Sequence, residues 1–505
     1  MRARRGPSTA PSLTVVGAGP DAPAVARRAR PGSHPASLAL ERHPWSTVMA
    51  VAAIGAVCFA ATRVAVHDPA TLDVRGDEAS FVYSALSLRG GDLAYGQRDQ
   101  ERWLDLDWAE QPHGLFLQRY GEGWAFAKPY GFSALLMLPV AAAGLRGVSY
   151  VGAALVLGYA GCWYAAGRHR WDRSTALAVA ATATVASHAW FYGFPAHADL
   201  FVAVLVGAAA VGGLRARMLG DGAALLVAAA AVGLLTTEKV VAAAALLPAL
   251  AVAASRCTRA FRVGAILVAA LVAGASMAPY LHYSEGRSWS AYGGERYYAP
   301  DVTPWSGGRT SDLVRWRTDR LETPSYALER LTNPSSDLPA AIGTFAVGRT
   351  TGVLTFLPIV PALLLSAVWA ARRRPKPRHS TRQDVDRPML IAAAVGLAAY
   401  SAFYLVLFTD NYYGGQQSIG NRYFLQISLL AAVVAVAAPV GRTAALRCAA
   451  FAVVWAAVVL GPNLRHADRA FHDLGHLSRV QRLLPFETTQ TGRLFAPEPE
   501  GETSG

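Results

Sequence analysis

The feature that most constrains this chain is a series of apolar segments that approach or reach the length of a bilayer crossing. The first, residues 46–66, has about 20 residues, enough at ~1.5 Å per residue to cross a ~30 Å hydrocarbon core. Ten more follow at 148–166, 174–191, 199–214, 222–237, 239–254, 263–281, 350–371, 388–408, 423–440 and 444–461. Only 16% of the 505 residues are charged, against about 25% in a soluble domain. The sequence therefore predicts an all-α, polytopic integral membrane protein.

Basic residues in the connecting segments predict its orientation. Arginine-rich linkers alternate with acidic, aromatic or glycine-rich ones, and they lie at 167–173, 215–221, 255–262, 371–379 and 441–447. Lys and Arg collect on the cytoplasmic side of membrane proteins. These linkers share one side if residues 131–145, a short segment containing Pro139, form an interfacial helix instead of a crossing. We therefore expect about eleven crossings, with the amino terminus inside and the carboxyl terminus outside.

This map divides the chain into three parts. Residues 1–45 are rich in Arg, Pro, Ala and Gly without hydrophobic periodicity, which predicts a disordered basic cytoplasmic tail. Residues 46–461 form the transmembrane domain, and 462–505 an extracytoplasmic carboxyl-terminal tail. Two connections, 67–147 and 282–349, are too long to be simple connectors. We expect both outside the cytoplasm, the first with interfacial helices.

The positions of the charges and of the cysteines argue against a nucleic-acid partner and against a disulfide. The formal net charge is +13, but the arginines sit in short linkers, where they report orientation, so no nucleic-acid partner is expected. Cys58 and Cys162 lie inside apolar segments, Cys257 in a basic linker and Cys448 at the start of another apolar segment. No pair is placed to join an extracytoplasmic loop, so no disulfide is expected.

Ionisable residues are rare within the apolar segments and gather at their outer ends. They are His188, His197, Asp199, Glu238, Lys239, His282, Arg349, Asp410 and Arg422. Ionisable groups at membrane depth are costly and usually functional. A secondary transporter would more often place them near the midplane, in matched positions of two halves. The pattern instead predicts a polar site at one face, suited to a lipid-linked substrate whose head group lies at the interface.

The stretch "VRGDEASF", residues 74–81, supplies carboxylates to that site. Moving a sugar from a polyprenyl phosphate to a hydroxyl needs a carboxylate to take the proton and cations or a metal ion to hold the departing phosphate. Asp77 suits the first role. The phosphate candidates are Lys239, Arg349 and Arg422, of which the arginines offer a bidentate fork.

The order of several motifs resembles the GT-C class of polytopic membrane glycosyltransferases. Within it, the chain is similar to bacterial relatives of protein O-mannosyltransferases and lipid A aminoarabinose transferases. The resemblance covers about 46–460 and rests on "GDEASFVYSALSLRGGDL", "KPYGFSALLMLPVAAAGL", "FPAHADLF", "GRTTGVLTFLPIVPALLL" and "NYYGGQQSIGNRYFL".

The resemblance implies site residues where motifs match. The first-loop catalytic base falls on Asp77, and the acid of a second-loop "RPD"-like turn falls on Asp199. His197 and Ala198 stand where an Arg-Pro pair is common, which leaves a phosphate contact or metal ligand at that turn open. The chain has no "WWDYG" segment and no large soluble carboxyl-terminal domain, so en bloc glycan transfer to asparagine is not expected.

Structural alternatives stand beside these roles. Asp77 could cap a helix that ends at Gly90, and Glu78, also a catalytic candidate, points about 100° away from it on a helix. His197 and Asp199 could bind a divalent cation with Asp77 or only solvate the turn. No cofactor is otherwise predicted.

The remaining candidates have alternatives of their own. Lys239 could extend to lipid head groups, and Arg349 and Arg422 could pair with lipid phosphates. Tyr412 and Tyr413 adjoin glycines that let backbone approach a ligand. We expect them, with His197, to contact acceptor or sugar.

The sequence thus predicts an enzyme that transfers one sugar from a polyprenyl-phosphate donor to an envelope glycan, lipid or protein, with membrane lipids as its surroundings. The resemblance implies a bacterial-type plasma membrane, an extracytoplasmic site and inversion at the anomeric carbon. The alternatives are a transporter or flippase of lipid-linked glycans and a degenerate relative acting as a membrane scaffold.

Overall fold

The computed structural model describes residues 44–68, 76–96, 115–286, 288, 296–299, 314–316, 324–372, 385–414, 418–468 and 477–487. Of the predicted basic tail, only Pro44 and Trp45 fall within these residues, and they begin the first helix. The predicted carboxyl-terminal tail falls within them only at 462–468 and 477–487.

Helices account for most of the described residues. In the first half of the chain they are α1 (Pro44–Ala65), α2 (Asp77–Arg89), α3 (Tyr130–Ala143), α4 (Arg146–Gly167), α5 (Arg173–Val185), α6 (Ala198–Leu219), α7 (Gly222–Glu238) and α8 (Val240–Ala254). Next come α9 (Arg259–Tyr283), α10 (Pro324–Thr332), α11 (Leu338–Val347), α12 (Val353–Phe356), α13 (Ile359–Arg372) and α14 (Arg387–Leu407). The last are α15 (Arg422–Ile427), α16 (Leu429–Ala437), α17 (Arg442–Val459), α18 (Gly461–Arg465) and α19 (Arg479–Arg482).

The predicted polytopic helical membrane class is confirmed. Six helices among the described residues are long and apolar enough to cross a bilayer: α1, α4, α6, α9, α14 and α17. Shorter apolar helices coincide with other predicted segments, α7 and α8 among them. Two predicted segments are divided in two, 350–371 into α12 and α13 and 423–440 into α15 and α16. The number of crossings therefore stays a prediction.

The helices differ in how much of their surface other helices cover. Every residue of α16 is buried, so this short helix lies in the centre of the bundle. In α9, only Ser276 and Tyr280 are buried, while Ile266 and Leu271 are about 70% exposed (69% and 71%). An apolar helix surface left uncovered by protein is what lipid contact requires.

A small antiparallel sheet, which the sequence analysis did not predict, joins the two long loops. Its strands are β1 (Ala94–Tyr95), β2 (Leu115–Tyr120), β3 (Gly123–Phe126), β4 (Arg296–Ala299) and β5 (Val314–Trp316), in the order β1-β3-β2-β4-β5. Strands β2 and β3 form a hairpin with a two-residue turn, Gly121-Glu122, in which the φ of 56° at residue 121 suits glycine.

The pairing of β2 with β4 connects the first long loop to the second. Leu115 lies opposite Ala299, and Leu117 opposite Tyr297. At the hairpin, the Gly121 amide donates to Oε1 of Glu285 at 2.6 Å. The sheet is therefore attached to the chain just after the carboxyl-terminal end of α9.

Candidate active site

Asp77 is the first residue of α2. The residue before it, Gly76, is the N-cap, and no side chain caps the helix. The capping alternative for Asp77 is therefore wrong. Ser80 fixes the orientation of α2, because its hydroxyl donates to Gly76 O at 2.7 Å and accepts from the Phe116 amide of β2 at 2.9 Å.

The Asp77 carboxylate meets three nitrogen groups from distant parts of the chain. Its Oδ1 lies 2.5 Å from Nζ of Lys128. Its Oδ2 lies 3.6 Å from Nε2 of His197 and 3.7 Å from Nη1 of Arg422. The side chain of Asp77 is 23% exposed, so a ligand can reach it. We call Asp77, Lys128, His197, Asp199 and Arg422 the carboxylate–cation cluster.

Lys128 belongs to this cluster although the sequence analysis did not single it out. It lies in the connection between β3 and α3, and its side chain is only 7% exposed. The start of α3 is held nearby, since the Tyr130 amide donates to the Tyr280 hydroxyl at 2.7 Å and the Gly131 amide to Oε1 of Glu238 at 2.7 Å. The signal in the sequence was a lone lysine before Pro129, between two apolar stretches.

His197 and Asp199 stand together at the start of α6. Nε2 of His197 accepts from Nη1 of Arg422 at 2.6 Å. A guanidinium only donates, so the imidazole proton lies on Nδ1, which is 2.5 Å from Oδ2 of Asp199. That close approach lacks the alignment of a hydrogen bond. Oδ1 of Asp199 accepts from the amide of Gln426, which in turn accepts from the Tyr400 hydroxyl at 2.6 Å.

Arg422 reaches the cluster because Gly414 has no side chain. Gly414 has a φ of 116°, and a Cβ there would overlap the side chain of Arg422. The Arg422 amide donates to Tyr413 O at 3.1 Å, so the two ends of this loop are paired. Glycine is required both by the backbone conformation and by the packing.

Two further cations lie close to the cluster. Nζ of Lys239, between α7 and α8, stands 4.1 Å from the centre of the Tyr423 ring and 5.5 Å from that of Tyr404. Arg296 on β4 is 8% exposed. Its guanidinium lies 5.9 Å from the Phe116 ring, on which Nζ of Lys128 packs at 4.0 Å. The sequence analysis missed Arg296, because only the pairing of β2 with β4 brings it here.

The charges in the cluster shift the pKa of its members outside the spanning helices. Burial opposes ionisation of Asp77, but the charges of Lys128 and Arg422 outweigh it and hold its pKa well below the usual range. Burial lowers the pKa of Lys128 to about 8, with Asp77 opposing that change and Arg296 adding to it. At neutral pH both groups are charged.

Arg349 is not brought into the cluster. Its Nη2 donates to Arg482 O at 2.5 Å and to Leu484 O at 3.2 Å. The Tyr412 hydroxyl donates to Oγ1 of Thr344 at 2.7 Å, and both Tyr412 and Tyr413 are buried. Tyr413 still adjoins the site through the bond of its carbonyl to Arg422. Glu78 is buried on α2.

The residues do not fit a divalent metal. Among the described residues, no group of three or more His, Cys, Asp or Glu side chains is arranged to hold a metal ion. The carboxylates of Asp77 and Asp199 face Lys128 and Arg422 instead. In the described part of the chain, these two carboxylates are therefore paired with side-chain cations.

No protein-family model matches the sequence, and no curated protein matches it. The fold is similar to the crystal structure of ArnT from Cupriavidus metallidurans bound to undecaprenyl phosphate, at 16% sequence identity and a TM-score of 0.44. The similarity covers 78% of this chain and 60% of that protein.

Proposed function

We propose that this chain transfers a single sugar from a polyprenyl-phosphate donor to an envelope glycan, lipid or protein on the extracytoplasmic side of the membrane. The observation that carries the proposal is the position of Asp77, a partly exposed carboxylate in contact with Lys128 and near Arg422. A base and the cations for a leaving phosphate are then within one small site.

Lys128, Arg422 and Lys239 are the groups proposed to hold the donor phosphate. A phosphodiester gains negative charge as its bond to the sugar breaks, so buried cations stabilise the transition state more than the ground state. Arg422 can offer two N–H groups to phosphate oxygens. Lys239 packs against Tyr423, which fixes its direction. Arg349 has no part in this site, because its guanidinium binds backbone carbonyls.

Asp77 is proposed to take the acceptor's proton once the donor is bound. In the free protein, Lys128 and Arg422 reduce its basicity. A bound phosphate shares those cations, which raises the proton affinity of Asp77. The acceptor hydroxyl oxygen attacks the anomeric carbon, the bond from that carbon to the phosphate oxygen breaks, and its electron pair leaves with the phosphate. Asp77 receives the hydroxyl proton.

Asp199 is proposed to position Arg422 rather than to touch the substrate. It is 4% exposed, and its oxygens face His197 and Gln426. Nη1 of Arg422 lies 3.9 Å from its Oδ2. His197 links the two acids, since it contacts Asp199 through one ring nitrogen and approaches Asp77 with the other. The pair therefore keeps the guanidinium near Asp77.

The test is incubation of purified protein with a panel of polyprenyl-phosphate sugars and an envelope acceptor fraction. Release of polyprenyl phosphate with transfer of sugar is the expected result, and Asp77→Asn abolishes most of it. In proteoliposomes, movement of a lipid-linked glycan between leaflets without release of polyprenyl phosphate would instead identify a transporter. Absence of both activities for every donor would contradict the proposal.

A further inference from the structure

Residues Ser478–Glu487, which we call the strap, bind the chain just before α12. The Glu487 side chain is fully buried. Its Oε1 accepts from the amides of Thr350 at 2.8 Å and Thr351 at 2.9 Å, and its Oε2 accepts from the Thr350 hydroxyl at 2.7 Å. A buried carboxylate is tolerated when donors surround it in this way.

The rest of the strap holds the same short stretch from the other side. The Arg349 amide donates to Pro485 O at 2.8 Å, and its guanidinium donates to Arg482 O. The Arg349 carbonyl accepts from the Gln481 amide group at 2.9 Å. Residues 349–351 are therefore fixed to the strap by side-chain and backbone bonds.

Residues 349–351 in turn hold the loop that carries Arg422. The Gly420 amide donates to Thr350 O at 2.8 Å. Oγ1 of Thr351 lies 2.9 Å from the Tyr412 hydroxyl and 3.1 Å from Oε1 of Glu487. Arg422 follows Gly420 by two residues, and its amide is bonded to Tyr413 O. Two paths of hydrogen bonds thus lead from Glu487 to the backbone of Arg422.

We infer that Glu487 is a positioning residue, which acts through Thr350 and Thr351 to fix Arg422 beside Asp77. The inference rests on the proposed function for its effect on donor binding, but the effect on the loop itself does not depend on it. Without Glu487, the buried amides of Thr350 and Thr351 lose their acceptor, and buried unpaired donors are costly. The backbone at 350–351 can then relax, which weakens the bond from the Gly420 amide to Thr350 O.

The first measurement is hydrogen exchange in the purified, full-length protein. Glu487→Ala should speed exchange of the Gly420 and Arg422 amides by about tenfold or more, because local opening of the loop becomes easier. Glu487→Gln keeps one acceptor oxygen and should restore most of the protection. Leu483→Ala is the matched control on the strap, since Leu483 is 84% exposed, and should change nothing. If Glu487→Ala does not insert, the shorter Glu487→Asp replaces it with the same expectation.

The second measurement is binding of polyprenyl phosphate alone in a double-mutant cycle. Glu487→Ala should weaken binding about tenfold in the wild-type background and little further in Arg422→Gln, because coupled residues are not additive. Equal losses in both backgrounds would show that Glu487 does not act through Arg422. Unchanged exchange at Gly420 and Arg422, with faster exchange at Thr350 and Thr351, would overturn the positioning role. Absence of binding by the wild type would count against the proposed function, while the exchange result would still decide the role of the strap.

Discussion

Nη1 of Arg422, from the start of α15, lies 3.7 Å from Oδ2 of Asp77, at the start of α2. The two residues come from opposite halves of the chain, and each begins a helix. The same guanidinium nitrogen is 2.6 Å from His197 and 3.9 Å from Asp199. Arg422 therefore links both acids of the cluster.

Asp77→Asn should leave the protein folded and inserted but reduce turnover by at least ~10²-fold, the loss expected for a general base. The asparagine keeps the size of the side chain and loses the charge and the basic lone pair. Asp92→Asn makes the same change at an exposed carboxylate near the end of α2 and should have little effect, and Glu78→Gln should cost much less than Asp77→Asn. Sugar transfer by Asp77→Asn above about a tenth of the wild-type rate would exclude Asp77 as the base.

Arg422→Gln should weaken polyprenyl-phosphate binding and slow turnover, because a cation near both Asp77 and Asp199 is lost. Arg422→Lys should restore only part of the binding, since lysine lacks the planar fork. Binding and rate are measured separately on purified protein. Equal donor binding by Arg422→Gln and the wild type would assign Arg422 to structure alone.

Gly414→Ala should reproduce much of the loss seen in Arg422→Gln, because the added Cβ would overlap the Arg422 side chain. Gly91→Ala is the matched control: Gly91 also has a positive φ, 91°, but a Cβ there meets nothing within 4 Å. Both alanines carry the backbone strain, so the difference in activity reports the displacement of Arg422. Equal activity of the two variants would show that the close packing of Gly414 against Arg422 does not affect activity.

Donor binding should weaken as pH rises through about 8, because burial lowers the pKa of Lys128 to about 8 and the neutral amine no longer attracts phosphate. Lys128→Arg keeps its charge and should extend binding to higher pH. If donor binding by the wild type and by Lys128→Arg declined at the same pH, Lys128 would be excluded as the titrating group.

The pKa of Asp77 is lowered, so the stability that its ion pairs contribute is present above the ordinary value of 3.8 and is lost only as pH falls through the lower folded value.

Residues 67–147 and 282–349 should be accessible from outside the cytoplasm. Single cysteines at Glu122 and Ser336, both exposed, and at Thr258 in a basic linker test this in a background without the natural cysteines. An impermeant thiol reagent should label positions 122 and 336 in intact cells, and position 258 only after lysis. The reverse pattern would overturn the orientation and place the carboxylate–cation cluster on the cytoplasmic side.

The sequence by itself determined the helical membrane class, because apolar length and the scarcity of charges are local properties of each segment. It also gave His197, Asp199, Lys239 and Arg422 as candidates, since an ionisable residue at the end of an apolar segment stands out without knowledge of its partners. Asp77 was a candidate as a carboxylate of the motif "VRGDEASF". Helix breaks were harder to predict, as in the division of 423–440 at Ser428. There the apolar character continues while the hydrogen-bond ladder does not.

Only the tertiary structure decided which of these residues meet. It brought Lys128 to Asp77, and it placed Arg296 near the Phe116 ring on which Lys128 packs, through a sheet whose strands come from loops distant in the chain. It also kept Arg349 outside the carboxylate–cation cluster, because its guanidinium donates to backbone carbonyls of the strap. The sequence shows that an arginine lies at a helix end, but its partner is set by the packing of segments far apart in the chain. Charge can be read from one residue, whereas an ion pair needs the positions of two.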